Sequence, residues 1–393
     1  MRFDGIGSLG PRVVLLLLWT LGAALAGCRG PKSTALPEVS DSTLAPAVVA
    51  APGETPVATV TVRVPGVTPA VPPYWPTQGW RTSTPAEQGM NAERLALMMD
   101  SVRQQNLDLH SLLVIRDGAI VSETYFGSNT PETRREIYSV TKSFIATLVG
   151  VAIDKGIIAG VERPVGDFFP DRKFANWDAA KQAMTLENLL TMTTGLDWPE
   201  ADATFQQLHG GRDWVKFVMD EPMRSQPGAE FNYCSGCSHV LSAIIQQQTG
   251  MNTRDFAQRE LFEPLGINDA VWDTDTTGIA IGGCGLQLTP RDMAKLGYLY
   301  LNGGMWDGRQ IVSTGWVKTA TQKHTGTDTD LGYGYQWWIY PRWGAYAALG
   351  RYGQTIFVIP DLNLIVLTTA ALEGPDPIFD LIEQYIVPAV QLS

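Results

Sequence analysis

The tetrapeptide Ser139–Lys142, Ser-Val-Thr-Lys, is the feature of this sequence that most directly indicates chemistry, and it is the only Ser-x-x-Lys in the chain. It opens a run that reaches Lys155 and is closed by Gly156, which predicts an amphipathic helix. Residues three apart share a helix face, so the Lys142 amine can reach the Ser139 hydroxyl and take its proton. Unpaired N–H groups at the start of a helix favour a developing oxyanion. The pattern predicts a nucleophilic serine activated without histidine.

Composition excludes several other functions. The chain has 393 residues, 45% of them apolar, which allows one large domain or two. A net charge of −11 leaves no basic stripe for phosphates, so we expect no nucleic-acid partner. No Gly-x-Ser-x-Gly elbow occurs, which removes the commonest α/β-hydrolase signature. The histidines lack the spacing of a zinc site, so we expect no zinc hydrolase, and no metal or organic cofactor is implied. Those histidines are His110, His209, His239 and His324.

The N-terminus has the pattern of an export signal. Arg2 and Arg12 precede the apolar run Val13–Ala26, which is short for a membrane span and ends in Leu-Ala-Gly-Cys28, a sequence similar to a bacterial lipobox. We therefore predict a lipoprotein signal peptide at 1–27, lipidation of Cys28 and a lipid anchor in the membrane outside the cytoplasm. An ordinary signal peptide of a secreted protein, or an uncleaved anchor, remains an alternative.

Two further segments follow. Residues 28–79 are rich in Pro, Ala, Thr and Val without a hydrophobic period, which predicts a disordered tether. Residues 80–393 are predicted to form one catalytic domain.

Three cysteines remain if Cys28 is lipidated: Cys234, Cys237 and Cys284. In an exported protein this number predicts one disulfide and one free thiol. We favour a bridge from Cys284 to either Cys234 or Cys237, because no βαβ pattern surrounds the Cys-x-x-Cys to suggest a redox site.

Strand patterns stand at both ends of the predicted domain. Residues 112–126 are two β-rich runs around Asp117-Gly118, a strong hairpin signal. Residues 345–371 contain three apolar runs typical of antiparallel strands, and 378–390 suits a closing helix. Residues 91–105 have helical spacing, with Leu95, Leu97, Met98 and Val102 as the apolar positions.

The middle of the domain, residues 136–301, is mostly helical in pattern. Strands, then helices, then strands predict an α+β fold, in which N- and C-terminal strands share one antiparallel sheet beside a mostly helical subdomain.

Two segments could supply polar groups to a site around Ser139. Residues 231–237 form a loop-like stretch before the helical run 238–248, and they present Tyr233 and Ser235 two residues apart. A polar helix cap is the alternative interpretation. Residues 349–355 carry Arg351 between glycines, where Gly353 would let the backbone approach a ligand. A bend with a surface arginine is the alternative here.

With these segments, the sequence from Trp80 to Val387 resembles the serine β-lactamase-like family of class C β-lactamases, D,D-peptidases and related esterases. Six segments in the family's order carry the resemblance: Tyr138–Ser143, Leu189–Gly195, Pro227–Tyr233, Leu261–Ile267, Gly282–Pro290 and Gly332–Trp338.

The resemblance implies a mechanism. Ser139 would form an acyl-enzyme, and Lys142 with the Tyr233 phenol would relay the proton as general base and acid. The oxyanion hole would be the backbone N–H groups of Ser139 and Gln354. The substrate would be contacted by Ser235, Arg351, Gly353 and Trp198.

Two departures from the family pattern bear on the substrate. Tyr233-Cys-Ser235 stands where class C β-lactamases have Tyr-x-Asn, and Arg351-Tyr-Gly353 stands where they have Lys-Thr-Gly. Both changes favour the esterase and amidohydrolase branch, which includes 6-aminohexanoate-dimer hydrolase-like proteins.

Aromatic residues in family-matching loops could shape the acyl pocket. Trp198 is the one we place nearest the substrate, whereas core packing is expected for Trp214, Tyr335, Trp337 and Trp338. Asp197 is expected to cap, and His239 lies on an apolar helix, which favours a core histidine.

The sequence thus predicts a serine hydrolase that cleaves a small-molecule ester or amide, or a peptide, through a Ser139 acyl-enzyme. A D,D-peptidase, a β-lactamase, an acyltransferase, or a β-lactam or cell-wall sensor that acylates without turnover remain alternatives. The sequence does not indicate what orients the deacylating water, nor the oligomeric state.

Overall fold

A computed structural model describes residues 74–391, and its main feature is a nine-stranded sheet in the order β1-β3-β2-β14-β13-β12-β11-β10-β9. Neighbouring strands are antiparallel except β1 and β3, which are parallel. The strands are β1 Arg81–Thr82, β2 Leu109–Arg116, β3 Ala119–Tyr125, β4 Arg135–Glu136, β5 Val271–Trp272, β6 Leu286–Leu288, β7 Met305–Trp306, β8 Arg309–Gln310, β9 Thr325–Gly326, β10 Gly332–Tyr333, β11 Trp338–Tyr340, β12 Ala345–Gly350, β13 Gln354–Ile359 and β14 Leu364–Ala370.

Helices cover both faces of this sheet. They are α1 Ala92–Gln104, α2 Thr141–Asp154, α3 Ala179–Ala183, α4 Leu186–Leu190, α5 Asp202–Gly210, α6 Trp214–Asp220, α7 Ser235–Thr249, α8 Thr253–Ala257, α9 Glu263–Leu265, α10 Pro290–Leu301, α11 Thr314–Ala320, α12 Asp376–Leu381 and α13 Val387–Ala389. One face packs against α1 and the C-terminal helical segment, and the other packs against α10 and the helical region around α2 and α7.

The β2–β3 hairpin confirms the strongest local prediction. Asp117 and Gly118 connect the two strands, with φ of 51° and 77°. Positive φ at both positions is what a two-residue type I′ turn requires, and an Asp-Gly pair adopts it readily. The residue types therefore set this hairpin locally.

Pairing of β14 with β2 joins the two ends of the domain. Val366 of β14 lies opposite Val114 of β2 on one side and Phe357 of β13 on the other. The predicted α+β fold, with N- and C-terminal strands in one sheet, is confirmed. The predicted closing helix at 378–390 is present as α12 and α13, joined by a π-helical turn at Ile382–Ile386.

Helix α1 matches its prediction except at one position. The Asn91 side chain caps it by accepting from the N–H of Arg94, and Leu95, Met98 and Val102 are buried. Leu97, however, is 55% exposed, because it lies on the opposite face of the helix.

The prediction of an amphipathic helix at 139–155 is wrong in two respects. Ser139 lies in a 3-10 turn, Tyr138–Val140, that precedes α2, and every residue from Thr141 to Ala152 is buried. The helix runs between the sheet and the helical region and contacts α7 and β12, so it has no solvent face. A helix that is apolar on all sides is typical of a domain interior.

The first described residues pack onto the domain. Trp75 contacts the rings of Tyr298 and Trp306, and Thr77 accepts a hydrogen bond from the Trp306 indole at 2.8 Å. The folded part therefore begins at or before Tyr74, inside the segment assigned to the tether.

The predicted signal peptide, Cys28 and most of the tether lie outside the described residues. Within residues 74–391, the helices are all too short or too polar to cross a membrane.

Gly150 tests the packing of α2. A Cβ at this position would come within 2.5 Å of the Trp316 ring on α11. We expect Gly150→Ala to lower the free energy of unfolding by about 1–3 kcal/mol through overpacking, although alanine favours helix more than glycine does.

The matched control is Gly210→Ala at the end of α5, where a Cβ would meet nothing within 4 Å. Urea denaturation should give this variant a stability equal to or above that of the parent. Equal stability of the two variants would show that α2 is not tightly packed against α11.

Candidate active site

Ser139 and Lys142 meet as their spacing predicts. Lys142 lies in the first turn of α2, and its Nζ is 2.9 Å from the Ser139 Oγ in the preceding 3-10 turn. Lys142 is 1% exposed, whereas Ser139 is only half-buried. The pair has the geometry of a nucleophile and its base.

Two acceptors also contact the amine. Lys142 Nζ donates to the Oγ of Ser235 at 2.9 Å and to the carbonyl oxygen of Gly283 at 2.8 Å. A buried amine needs such partners, because an unpaired one would be costly to desolvate. Three elements thus meet at one nitrogen: the turn before α2, the start of α7 and the loop before β6.

The loop before β6 reaches Lys142 because of its glycines and its pairing with β4. A Cβ at Gly283 would lie 2.8 Å from the carbonyl oxygen of Ser235, and one at Gly282 would lie 2.0 Å from that of Ser238. The N–H of Gly285 also donates to the half-buried Glu136 carboxylate, whose pKa is raised by burial. Only glycine permits so close an approach to α7.

Ser235 is the first residue of α7, so the helix begins three residues earlier than predicted. Cys234 immediately before it forms a disulfide with Cys237, with a Cα–Cα distance of 5.2 Å. The predicted bridge to Cys284 is therefore wrong. The two cysteines lie one helical turn apart at the N-terminus of α7, which brings them within bridging distance without any other segment.

Cys284 is the free thiol among the described residues. It follows Gly283 directly, and burial raises its pKa to about 11. A thiol with so high a pKa stays protonated near neutral pH and is a poor nucleophile.

Tyr233 contacts Lys142 through its ring. The Nζ lies 4.9 Å from the ring centroid, and the other side of the tyrosine stacks on Trp338 at 5.8 Å. Within residues 74–391 the Tyr233 hydroxyl has no hydrogen-bond partner. The hydrogen-bonded neighbour of the amine is Ser235, and the phenol is available to a substrate or water.

The end of β12 lies against the nucleophile. A Cβ on Gly350 would come 2.4 Å from the carbonyl oxygen of Ile137, 3.3 Å from the Ser139 nitrogen and 3.1 Å from the Cβ of Gln354. Gln354 therefore lies at the same corner as the Ser139 amide. Its side-chain amide donates to the carbonyls of Arg351 and Ala370, both at 2.9 Å, which ties down the turn between β12 and β13.

That turn places the other residues of its motif. Arg351 is partly exposed and lies 3.4 Å from the Asp202 carboxylate. Tyr352 has a φ of 65° and contacts the ring of Tyr138, which itself has a φ of 46° directly before the nucleophile. Such conformations are strained for residues other than glycine and cluster at functional sites. A Cβ at Gly353 would point toward Ile378 in the core, at 3.0 Å.

Trp198 reaches the site through a residue that the sequence analysis missed. It is buried, and its indole N–H donates to Glu200 Oε2 at 2.6 Å. The same carboxylate accepts from the Ser235 backbone N–H at 3.0 Å and from the Ser235 hydroxyl. Asp197 is exposed and caps no helix. No local pattern marked Glu200, because its partner is 35 residues away in sequence.

The remaining predictions concern the core. His239 is 1% exposed and pairs with Asp275 at 3.2 Å, which confirms a core histidine. Burial would raise the pKa of Asp275, but hydrogen bonds from His239, Thr277 and Ile279 outweigh it and hold that pKa at about 2. The four aromatics expected to pack in the core are all buried: Trp214, Tyr335, Trp337 and Trp338.

A buried lysine lies beside a serine in the turn before a buried helix, against the end of β12 in the large sheet. This arrangement is typical of the β-lactamase class of proteins. The sequence profile of the Beta-lactamase family matches residues 99–391. The chain belongs to this family, and the resemblance drawn from its motifs is confirmed.

Its relatives include proteins named as hydrolases. The chain is 25% identical over 318 residues to a 6-aminohexanoate-dimer hydrolase of Paenarthrobacter ureafaciens, a match that covers 75% of this chain and 81% of the relative. Among solved structures, EstCE1, a hydrolase with promiscuous acyltransferase activity, superposes with a TM-score of 0.64 at 18% identity, covering 75% of this chain and 98% of EstCE1. A family VIII carboxylesterase gives 0.63 at 15% identity, covering 78% and 98%. These two structures share the fold.

Gly350 tests the contact between β12 and the nucleophile. We expect Gly350→Ala to slow labelling of Ser139 by a fluorophosphonate by about 10²-fold, since the new Cβ must push the strand away from the turn that carries Ser139. Intact-protein mass spectrometry against time measures the rate.

Gly326→Ala on β9 is the control, because a Cβ there would meet nothing within 4 Å. It should label at the parent rate. Parental labelling by Gly350→Ala would refute a tight contact at this corner.

The disulfide can be checked by differential alkylation. Without reductant, iodoacetamide should modify the unfolded protein at Cys284 and leave Cys234 and Cys237 unmodified. The folded protein should react slowly at Cys284, because its raised pKa leaves little thiolate at pH 7. Peptide mapping that finds Cys284 bridged to either partner would contradict the observed pairing.

Proposed function

We propose that this protein is a serine hydrolase that cleaves a carboxylic ester or a small amide through an acyl-enzyme on Ser139. The observation that carries the proposal is the 2.9 Å contact between the buried Lys142 amine and the hydroxyl of the half-buried Ser139. An amine held so close to a serine can take its proton as the oxygen attacks.

Acylation begins with Lys142 as the neutral amine. Ser139 Oγ attacks the carbonyl carbon while its proton passes to the Nζ, and the carbonyl π electrons move to oxygen. The N–H of Ser139 and that of Gln354 would hold this oxyanion, each donor being worth about 10²–10³ in rate. The tetrahedral intermediate then collapses, and the leaving group takes a proton from Lys142 or through the Tyr233 phenol.

Deacylation reverses these roles. A water molecule loses its proton to the Lys142 amine, directly or by relay through the Tyr233 phenol, and attacks the ester carbonyl. Ser139 then leaves as Lys142 returns the proton to its oxygen. The Tyr233 hydroxyl supports this step, since it has no other hydrogen-bond partner within residues 74–391 and so can hold a water. An alcohol or amine in place of water would give acyl transfer.

Small esters and amides fit the site best as substrates. Aromatic rings lie near the Ser139–Lys142 pair: Tyr138, next to Ser139 in sequence, contacts Tyr352, and Tyr233, which contacts Lys142, stacks on Trp338. The Lys-Thr-Gly of β-lactamases is absent, and relatives of this chain are named as a 6-aminohexanoate-dimer hydrolase and as esterases. Arg351 at the rim would contact an anionic substrate group.

We also propose that the protein works outside the cytoplasm as a lipoprotein. The basic residues, apolar run and Cys28 at the N-terminus support this location. Membrane fractionation of the full chain and of Cys28→Ala tests it, and loss of membrane association in the variant alone is the expected result.

Ser139→Ala tests the enzymatic proposal. Turnover of p-nitrophenyl butyrate should fall by at least about 10³-fold, because the alanine variant has no hydroxyl to attack the carbonyl carbon and form the acyl-enzyme. The measurement is kcat/KM at pH 7.5, alongside Ser122→Ala on β3 as a control that should keep the parental rate.

Retained hydrolysis by Ser139→Ala would overturn the proposal. Fluorophosphonate labelling at Ser139 without any ester turnover would favour the sensor instead, a protein that acylates and stays acylated.

A further inference from the structure

We propose that Glu200 sets the direction of the hydrogen bond between Lys142 and Ser235, and that this direction aims the lone pair of the neutral amine at Ser139. The inference rests on the proposed hydrolase function. It assigns Glu200 as a positioning residue of the proton-transfer machinery, acting through Ser235.

The Glu200 carboxylate, when ionised, accepts hydrogen bonds and donates none. Here Oε2 accepts from the Ser235 N–H at 3.0 Å and from the Trp198 indole at 2.6 Å, while Oε1 accepts from the Ser235 hydroxyl. The two N–H donors require an acceptor at Oε2, and an ionised carboxylate leaves the Ser235 hydroxyl as the only possible donor in its contact with Oε1.

The Ser235 hydroxyl has a single proton. Because that proton goes to Glu200, the Ser235 oxygen presents only lone pairs to Lys142, 2.9 Å away. It must therefore accept from the amine. The Gly283 carbonyl, at 2.8 Å, can also only accept.

The protons of the Lys142 amine fix where its lone pair points. A neutral lysine amine has two protons and one lone pair. Ser235 and Gly283 take the two protons, so the lone pair faces the remaining neighbour, Ser139 Oγ at 2.9 Å. This is the orientation in which the base can accept the serine proton. After transfer, the third proton of the ammonium lies beside the reacting centre, ready for the leaving group.

Without Glu200 the orientation is not fixed. A free Ser235 hydroxyl could donate to the amine, whose lone pair would then face Ser235 and whose protons would face Ser139 and Gly283. The hydrogen bond from the Ser235 hydroxyl to Glu200 excludes this unproductive arrangement. The same carboxylate also accepts from the Ser235 N–H and so holds the start of α7 in place.

Glu200→Gln separates direction from shape. In the glutamine variant, the Trp198 and Ser235 N–H groups need an acceptor, so the amide oxygen occupies the Oε2 position. The amide nitrogen then occupies the Oε1 position and donates to the Ser235 hydroxyl. Ser235 must then turn its proton toward Lys142. We expect kcat for p-nitrophenyl butyrate to fall by about 10²-fold with KM and the thermal unfolding midpoint unchanged, because only proton transfer is affected.

A double-mutant cycle with Ser235→Ala provides a readout that a structural role would not move. Glu200 acts only through the Ser235 hydroxyl, so Glu200→Gln should change kcat by less than about threefold in the Ser235→Ala background. Glu230→Gln, a surface glutamate paired with Arg224, is the matched control and should keep the parental kcat. Multiplicative effects of the two site variants would overturn the inference.

Neutron diffraction of the parent protein tests the same point without any variant. The Ser235 hydroxyl deuterium should lie on the line to Glu200, and a deuterium directed at Lys142 would overturn the inference. A parental kcat in Glu200→Gln beside an inactive Ser139→Ala would overturn it while leaving the hydrolase intact. Activity of Ser139→Ala would instead remove the proposed function.

Discussion

The rest of the structure depends on the burial of one amine. Lys142 is almost fully removed from solvent, and a buried amine is tolerated only where acceptors replace its water. Two acceptors come from the first residue of α7 and the glycine loop before β6, and the Ser139 hydroxyl in the turn before α2 is the third hydrogen-bonding partner. Each of these three elements must therefore lie within hydrogen-bond distance of the same nitrogen.

A buried helix and several close backbone contacts hold these three elements together. Helix α2 is enclosed on all sides, so it cannot shift without opening the core. Glycines at 282, 283 and 350 let the loop before β6 and strand β12 pack against the site more closely than a residue with a side chain could. The Cys234–Cys237 bridge ties the residue before Ser235 to the first turn of α7. Of the two serine hydroxyls beside the amine, that of Ser139 belongs to the residue that is not buried.

Sequence alone could predict what local spacing determines. Ser139 and Lys142 are three residues apart, and Asp117-Gly118 is a two-residue turn, so the chain near each position fixes the contact. Contacts between distant segments were not accessible in this way. Glu200 meets Ser235 only because the Trp198 loop folds over α7, and the burial of α2 on every side depends on β12 and α7 packing around it. The disulfide was mispredicted because α7 begins earlier than its apolar pattern indicated.

Trapping the acyl-enzyme tests the central claim most directly. Protein mixed with p-nitrophenyl butyrate would be quenched in acid within the first turnover, and the peptide that contains Ser139 would be mapped by mass spectrometry. The account predicts one butyryl group on Ser139, formed as fast as p-nitrophenol is released in the first turnover. Turnover without any covalent butyryl group, or with that group on another residue, would contradict it.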